Sequence, residues 1–178
     1  MPQSSFNSAF PMQSDIHHVI PSDGRVNNFR GSLVFGNVAS ANWTSTNGSK
    51  RGSSAMSGYS GTVFEPIDEF KGDIARMLLY FATRYETELV NFYTTSSSLS
   101  KVMFDGTSDK SFSTTFLNIL LTWNIQDPVS QREIDRNNAI YARQNNRNPY
   151  IDNNAFVERV WGIPLANSIF NLLNAVSI

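Results

Sequence analysis

The stretch Pro66–Leu89, PIDEFKGDIARMLLYFATRYETEL, decides the fold class. Its apolar groups fall at Phe70, Ile74, Met77, Leu78, Phe81 and Tyr85. Steps of three and four put these side chains on one face of an α-helix. Asp68 and Glu69 stand in the first turn, where negative charge complements the helix dipole. Burying six such side chains contributes on the order of 10 kcal/mol before chain entropy is subtracted. The spacing therefore predicts a central helix around which the remainder packs.

Downstream, the same period predicts a helix over 111–123 (Phe112, Phe116, Ile119, Leu120, Trp123). Another is expected from Ser130 to about Gln144, opened by a capping box of Ser130 and Glu133. Two more are expected near 153–161 and 165–176. Upstream, Ser, Asn and Gly crowd residues 37–61, NVASANWTSTNGSKRGSSAMSGYSG, without a period. That segment reads as irregular, with one short strand at SLVFGNV (32–38) and a mobile part near 47–57. The fold expected is a mostly helical α+β domain over 1–178, loop-rich in 1–62 and helical in 63–178.

Composition excludes several classes. A chain of 178 residues with formal net charge −1 does not carry a strongly basic nucleic-acid coat. The absence of cysteine removes disulfides and thiolate chemistry. No apolar run approaches the ~20 residues of a membrane span. The opening MPQSSFNSAFPMQS has neither the positive nor the apolar region of a signal peptide.

The only two histidines, His17 and His18, are adjacent in SDIHHVIPSDGRVN (14–27). One reading is structural, with ring nitrogens bonded to carbonyls. The other is metal ligation, since imidazole is the commonest protein metal ligand. Neighbouring residues do not readily reach one ion together, so one ring would bind while the other faces the protein. Arg132, Arg136 and Arg143 recur at spacings of four and seven, on one side of a helix, with Arg147 in the adjoining loop. They suit either pairing with Glu133 and Asp135 or bidentate phosphate binding. Arg76, in the middle of the central helix, either pairs with an acid such as Asp73 or points at the site.

Four blocks, in order, resemble the bacterial endonuclease I family of secreted or periplasmic nucleases, of the ββα-metal (His-Me finger) class. They are SDIHHVIPSDGRVNNFRG (14–31), VFEPIDEFKGDIARMLLYFATRY (63–85), WNIQDPVSQREIDRNNAIYARQNNRNPYID (123–152) and FVERVWG (156–162). The resemblance implies a metal-dependent, non-sequence-specific endonuclease acting on DNA, and on RNA as a second substrate, with no membrane and no protein partner, as a monomer. It implies that His18, three residues before Pro21, holds a Mg2+-type ion against the scissile phosphate, while His17 packs or supports it. Because Mg2+ usually prefers oxygen, the ion's identity stays open. Asp15 would accept from one of the rings or cap a helix. Arg30, Arg76 and Arg136 are candidates for phosphate or transition-state contacts, and Asn27, Arg132, Arg136, Asn137 and Arg143 for substrate binding.

The resemblance also implies a general-base His and a ligand Glu in an N-x-E-H-[ST]-x-P-x-S motif. Pro2, Gln3 and Ser4 look like its tail, so the Glu-His pair is expected about three residues upstream of Met1, encoded in frame. On that expectation the chain holds a partial ββα finger without its first strand. Losing a general base costs roughly 10²–10⁴-fold in rate, so weak or no cleavage is expected of the 178 residues alone. The rival reading is a catalytically dead nucleic-acid-binding or structural fragment. A third is an unrelated metalloprotein using the histidine pair.

Overall fold

The computed structural model describes residues 10–95, 100–107 and 111–162. The helix expected at 165–176 and the Pro2–Ser4 stretch lie outside them. The described residues open with two 3-10 turns, Met12–Ser14 and Ile16–His18, and enter helix α1 (Gly24–Arg30). Strands β1 (Val34–Phe35), β2 (Val38–Thr44), β3 (Lys50–Ser54) and β4 (Thr62–Glu65) follow. A 3-10 turn at Asp68–Phe70 runs into α2 (Lys71–Arg84). Then come α3 (Glu86–Thr95), α4 (Ser100–Met103), α5 (Thr114–Gln126), α6 (Gln131–Gln144), α7 (Pro149–Asp152) and α8 (Ala155–Trp161). The result is a mostly helical α+β fold.

The periodic face of α2 is buried at Ile74, Met77, Leu78 and Phe81, with Tyr85 just beyond its end. Ala75, Arg76, Leu79, Tyr80 and Ala82 are buried as well, so α2 is enclosed on nearly all sides. A helix buried all round is a core element. α5 packs along it, and α7 and the Ile16–His18 turn close other sides. The capping box opening α6 has both halves: Glu133 N–H donates to Ser130 Oγ and Ser130 N–H to the Glu133 carboxylate. α5 starts at Thr114, later than the period suggested. Ser113 caps it by accepting from Phe116 N–H.

The segment read as irregular forms most of a four-stranded sheet, in the order β1-β4-β3-β2. β1 pairs parallel with β4, while β4–β3 and β3–β2 are antiparallel. Instead of a mobile stretch, residues 47–54 hold a tight turn and β3. Gly48 supplies the positive φ of 102° that a side chain would strain, and Ser45 N–H donates to Ser49 O at 2.8 Å. The strands escaped prediction because β2 lies at the sheet edge. Five of its seven side chains are exposed, and its only large apolar groups, Val38 and Trp43, stand five residues apart, leaving no alternation of large apolar side chains. Two register shifts, at Val38/Ser40 and Ala41/Trp43, break the period further.

Candidate functional site

His18, Asn27 and Arg30 line one pocket of about 640 Å3. Its walls come from the histidine turn, α1, β1, β4 and the start of α2, with Phe35, Phe64, Phe70, Ile74 and Met77 as the apolar part. Asp23 caps α1, accepting from Arg25 and Val26 N–H, and so sets the direction from which Asn27 and Arg30 project. The Arg30 guanidinium lies 4.6 Å from the Phe35 ring centroid. Its Nε is buried and finds no hydrogen-bond partner among the described residues. Burial pushes its pKa below the ordinary value, though a guanidinium stays charged at neutral pH. The His18 ring rests on Phe81, with centroids 4.3 Å apart.

The two histidines divide as adjacency requires. His17 is fully buried, packed on Tyr80 at 4.7 Å, with Nε2 3.2 Å from the Asn146 carbonyl. Asp15 caps the turn by accepting from His17 N–H at 3.0 Å. It bonds no imidazole ring. Its other oxygen accepts from both Tyr80 and Tyr85 hydroxyls at 2.8 Å, while Gln144 Nε2 donates to the same oxygen as His17 N–H. Gln144 Oε1 accepts from Ile16 N–H, and Asn146 Nδ2 donates to the Tyr80 hydroxyl. The QNNRNP stretch (144–149) therefore holds the histidine turn in place.

Residues 1–155 match the Endonuclease I family. The chain belongs to that family. It is 37% identical over 163 residues to the protein named "Extracellular ribonuclease" from Bacillus amyloliquefaciens, covering 88% of this chain and 50% of that one. The protein of the same name from Bacillus subtilis (strain 168) is 36% identical over 155 residues, 83% and 46% of the two chains. The chain spans about half the length of these curated relatives. The matched family is one of endonucleases. Among the described residues no helix is long and apolar enough to cross a membrane.

In this Endonuclease I member several expected contacts have other duties. Arg76 is turned into the protein interior. It is 0% exposed, and Nε and Nη2 pair with the two Glu133 oxygens at 2.8 and 2.6 Å. Its Nη1 donates to Asn124 Oδ1 and the Asp127 carbonyl. Asp73, the acid expected from spacing, lies farther off at 3.7 Å. Burial and the Glu133 carboxylate push Asp73 up to about 7. Gly72 makes room for the cluster, since a Cβ there would sit 1.9 Å from the Asp127 carbonyl oxygen. Asn137 is likewise engaged inside the protein. It is 0% exposed, donates to Asn148 O and Asp152, and accepts from Asn148 N–H.

The arginine row does not act as one face. Arg132 pairs with Asp73 and lies over Phe70, Arg143 is exposed, and Arg147 grips Asp152. Arg136 turns inward: Nη2 donates to the carbonyls of Ile16 at 2.5 Å and Val19 at 2.8 Å. None of the three helix arginines lines the His18 pocket. Spacing identified the shared helix side but not the carbonyls that Arg136 would meet. Arg136→Ala is expected to cost about 1–3 kcal/mol in denaturant unfolding, because two carbonyls bonded to a charged group lose their partner. The salt dependence of DNA binding should change little. Unchanged stability with a salt slope reduced by about one contact would restore Arg136 to the phosphate.

Burial holds the His17 imidazole below its ordinary 6.5, against the raising influence of the Asn146 carbonyl. As pH falls through 6.5 the unfolded chain takes up the proton first. The stability contributed by neutral His17 is therefore complete above 6.5 and is lost as pH drops toward the lowered folded value. His17→Gln keeps a donor but does not titrate. Its unfolding midpoint should fall less than that of wild type between about pH 7 and pH 5. Parallel midpoint curves would remove His17 from the acid response.

Proposed function

We propose that this chain forms part of a metal-dependent, sugar-non-specific endonuclease exported from the cell, with His18 as a metal ligand and Arg30 and Asn27 as phosphate contacts. The observation that carries this reading is the His18 pocket itself. An imidazole, an amide and a guanidinium with an unsatisfied buried donor line one cavity. A guanidinium on the wall of a cavity suits phosphate, whose oxygens it can bind through paired N–H donors.

Among the described residues no three His, Cys, Asp or Glu side chains converge. One imidazole fits an ion that keeps most of its waters and takes its remaining ligands from substrate phosphate, as Mg2+ commonly does. When bound, such an ion supplies charge neutralisation at the phosphate oxygens. The chain's own residues do the rest. Arg30, stacked on Phe35, presents charge with little orientational freedom, and Asn27 on the same helix offers an amide to phosphate or to the attacking water. Asp15, Gln144 and Arg136 fix the turn, and so the placement of His18.

The names of the relatives support RNA as a substrate beside DNA, and also support export. The test uses the protein carrying the Glu-His motif that the family resemblance implies. It should nick supercoiled plasmid and cut RNA with Mg2+, and do neither with EDTA. Cleavage that survives EDTA would overturn the metal-dependent reading. A motif-bearing protein that binds but never cuts would favour a dead nucleic-acid-binding fragment.

A further inference from the structure

The two aromatic rings beside the site are not absorbed by the reading above. Phe29 of α1 and Trp43 of β2 stack with centroids 4.3 Å apart and planes 11° from parallel. The chain has three tryptophans. Trp123 and Trp161 are buried, whereas Trp43 is half-buried on the edge strand. Trp43 and Arg25 line a second pocket of about 540 Å3, which shares Asp23, Val26 and Asn47 with the His18 pocket. The two pockets therefore run on around the N-terminal end of α1. That helix places Asn27 and Arg30 in the first pocket and Arg25 in the second.

We propose that Trp43, backed by Phe29 and flanked by Arg25, is a stacking subsite for a nucleobase of a single strand whose phosphate lies in the His18 pocket. The inference rests on the nuclease reading and names its substrate form. A base in a duplex is already stacked and paired, so it cannot add to the Trp43–Phe29 stack without leaving its partner. A base on a flexible single strand can. Every base has a π-face, so such a platform accepts any sequence and either sugar. Arg25 beside the rings suits the phosphate that accompanies the stacked base. A cation and two rings beside a catalytic pocket form the combination that single-strand grooves use.

The test measures binding, not cleavage, with EDTA present, using short oligo(dT), short oligo(U) and a DNA duplex. Both single strands should quench the fluorescence of Trp43. Trp43→Ala should weaken single-strand binding roughly 5- to 100-fold and leave duplex binding nearly unchanged. Trp43→Phe, which keeps a ring on the strand, should recover most of the affinity, and its circular dichroism guards against misfolding. Arg25→Ala should weaken both single strands and lower the salt slope by about one. Quenching by only one of the two oligonucleotides would overturn the sugar-blind platform. Equal losses for duplex and single strands, or none for a folded Trp43→Ala protein, would overturn the subsite. If Trp43-dependent binding holds while Mg2+-dependent cleavage fails, the nuclease reading falls and the subsite stands. If cleavage holds without that binding, the reverse follows.

Discussion

Arg76→Ala is expected to destabilise the fold by about 3–5 kcal/mol, the usual cost of removing one partner from a buried ion pair. Whole domains are stable by roughly 5–15 kcal/mol, so much of the protein should unfold at moderate temperature. The guanidinium has no exposed surface and ties α2 to α6 through Glu133, and to the end of α5 and the next loop through Asn124 and the Asp127 carbonyl. Removing it strands the Glu133 carboxylate, which is 4% exposed and also accepts from Ser130 N–H. The pairing of Arg76→Met with Glu133→Met separates the stranded charge from lost packing. The double variant should recover part of the loss, because no unpaired charge stays buried. The check is urea unfolding of the two single variants and the double. A loss below about 1 kcal/mol in Arg76→Ala would mean that water reaches Glu133.

His18→Ala should have the opposite profile. In the motif-bearing protein, Mg2+-dependent plasmid nicking should fall roughly 100-fold or more, since the proposed ligand imidazole is gone. The ring lies on Phe81 but is only half-buried, so the stability loss should be about 1 kcal/mol. His17→Ala reverses the pattern. A buried ring bonded to the Asn146 carbonyl disappears, stability falls by about 1–3 kcal/mol, and the folded fraction still cuts. Plasmid nicking across a Mg2+ titration, with unfolding curves for both variants, checks the pair. Wild-type rates in His18→Ala at every Mg2+ concentration would sink the ligand assignment.

The helices were legible because burial writes a period into α2, and because the Ser130–Glu133 capping box is a local device readable four residues at a time. The sheet was not. β2 and β3 are held by backbone pairing and by close approach at Gly52, where a Cβ would lie 2.0 Å from the Ser40 carbonyl oxygen. Neither leaves an apolar pattern. At the site, the family resemblance pointed to His18, and Asn27 and Arg30 lie with it because 24–30 is helical. The duties of Arg76, Asn137 and Arg136 were illegible for one reason. Each is set by partners outside its own helix, and an arginine or asparagine looks the same whether its partner is phosphate, Glu133, the Asn148 backbone or the Ile16 carbonyl.

The latch that Gln144 and Asn146 place on the histidine turn has a consequence for how the molecule comes into being. Those contacts close loops of 128 and 129 residues. Long loop closures lose entropy early and are made late, so the turn should be among the last parts to set during folding. On a ribosome, residues 14–18 emerge well before residue 146 has been added. Until then the turn lacks its anchors, whatever helix or hairpin has already formed. A nascent or half-folded chain would thus carry the histidine pair without the arrangement that aims it. Competence would arrive in one step with completion of the α6–α7 connection, and would be lost first when that connection opens.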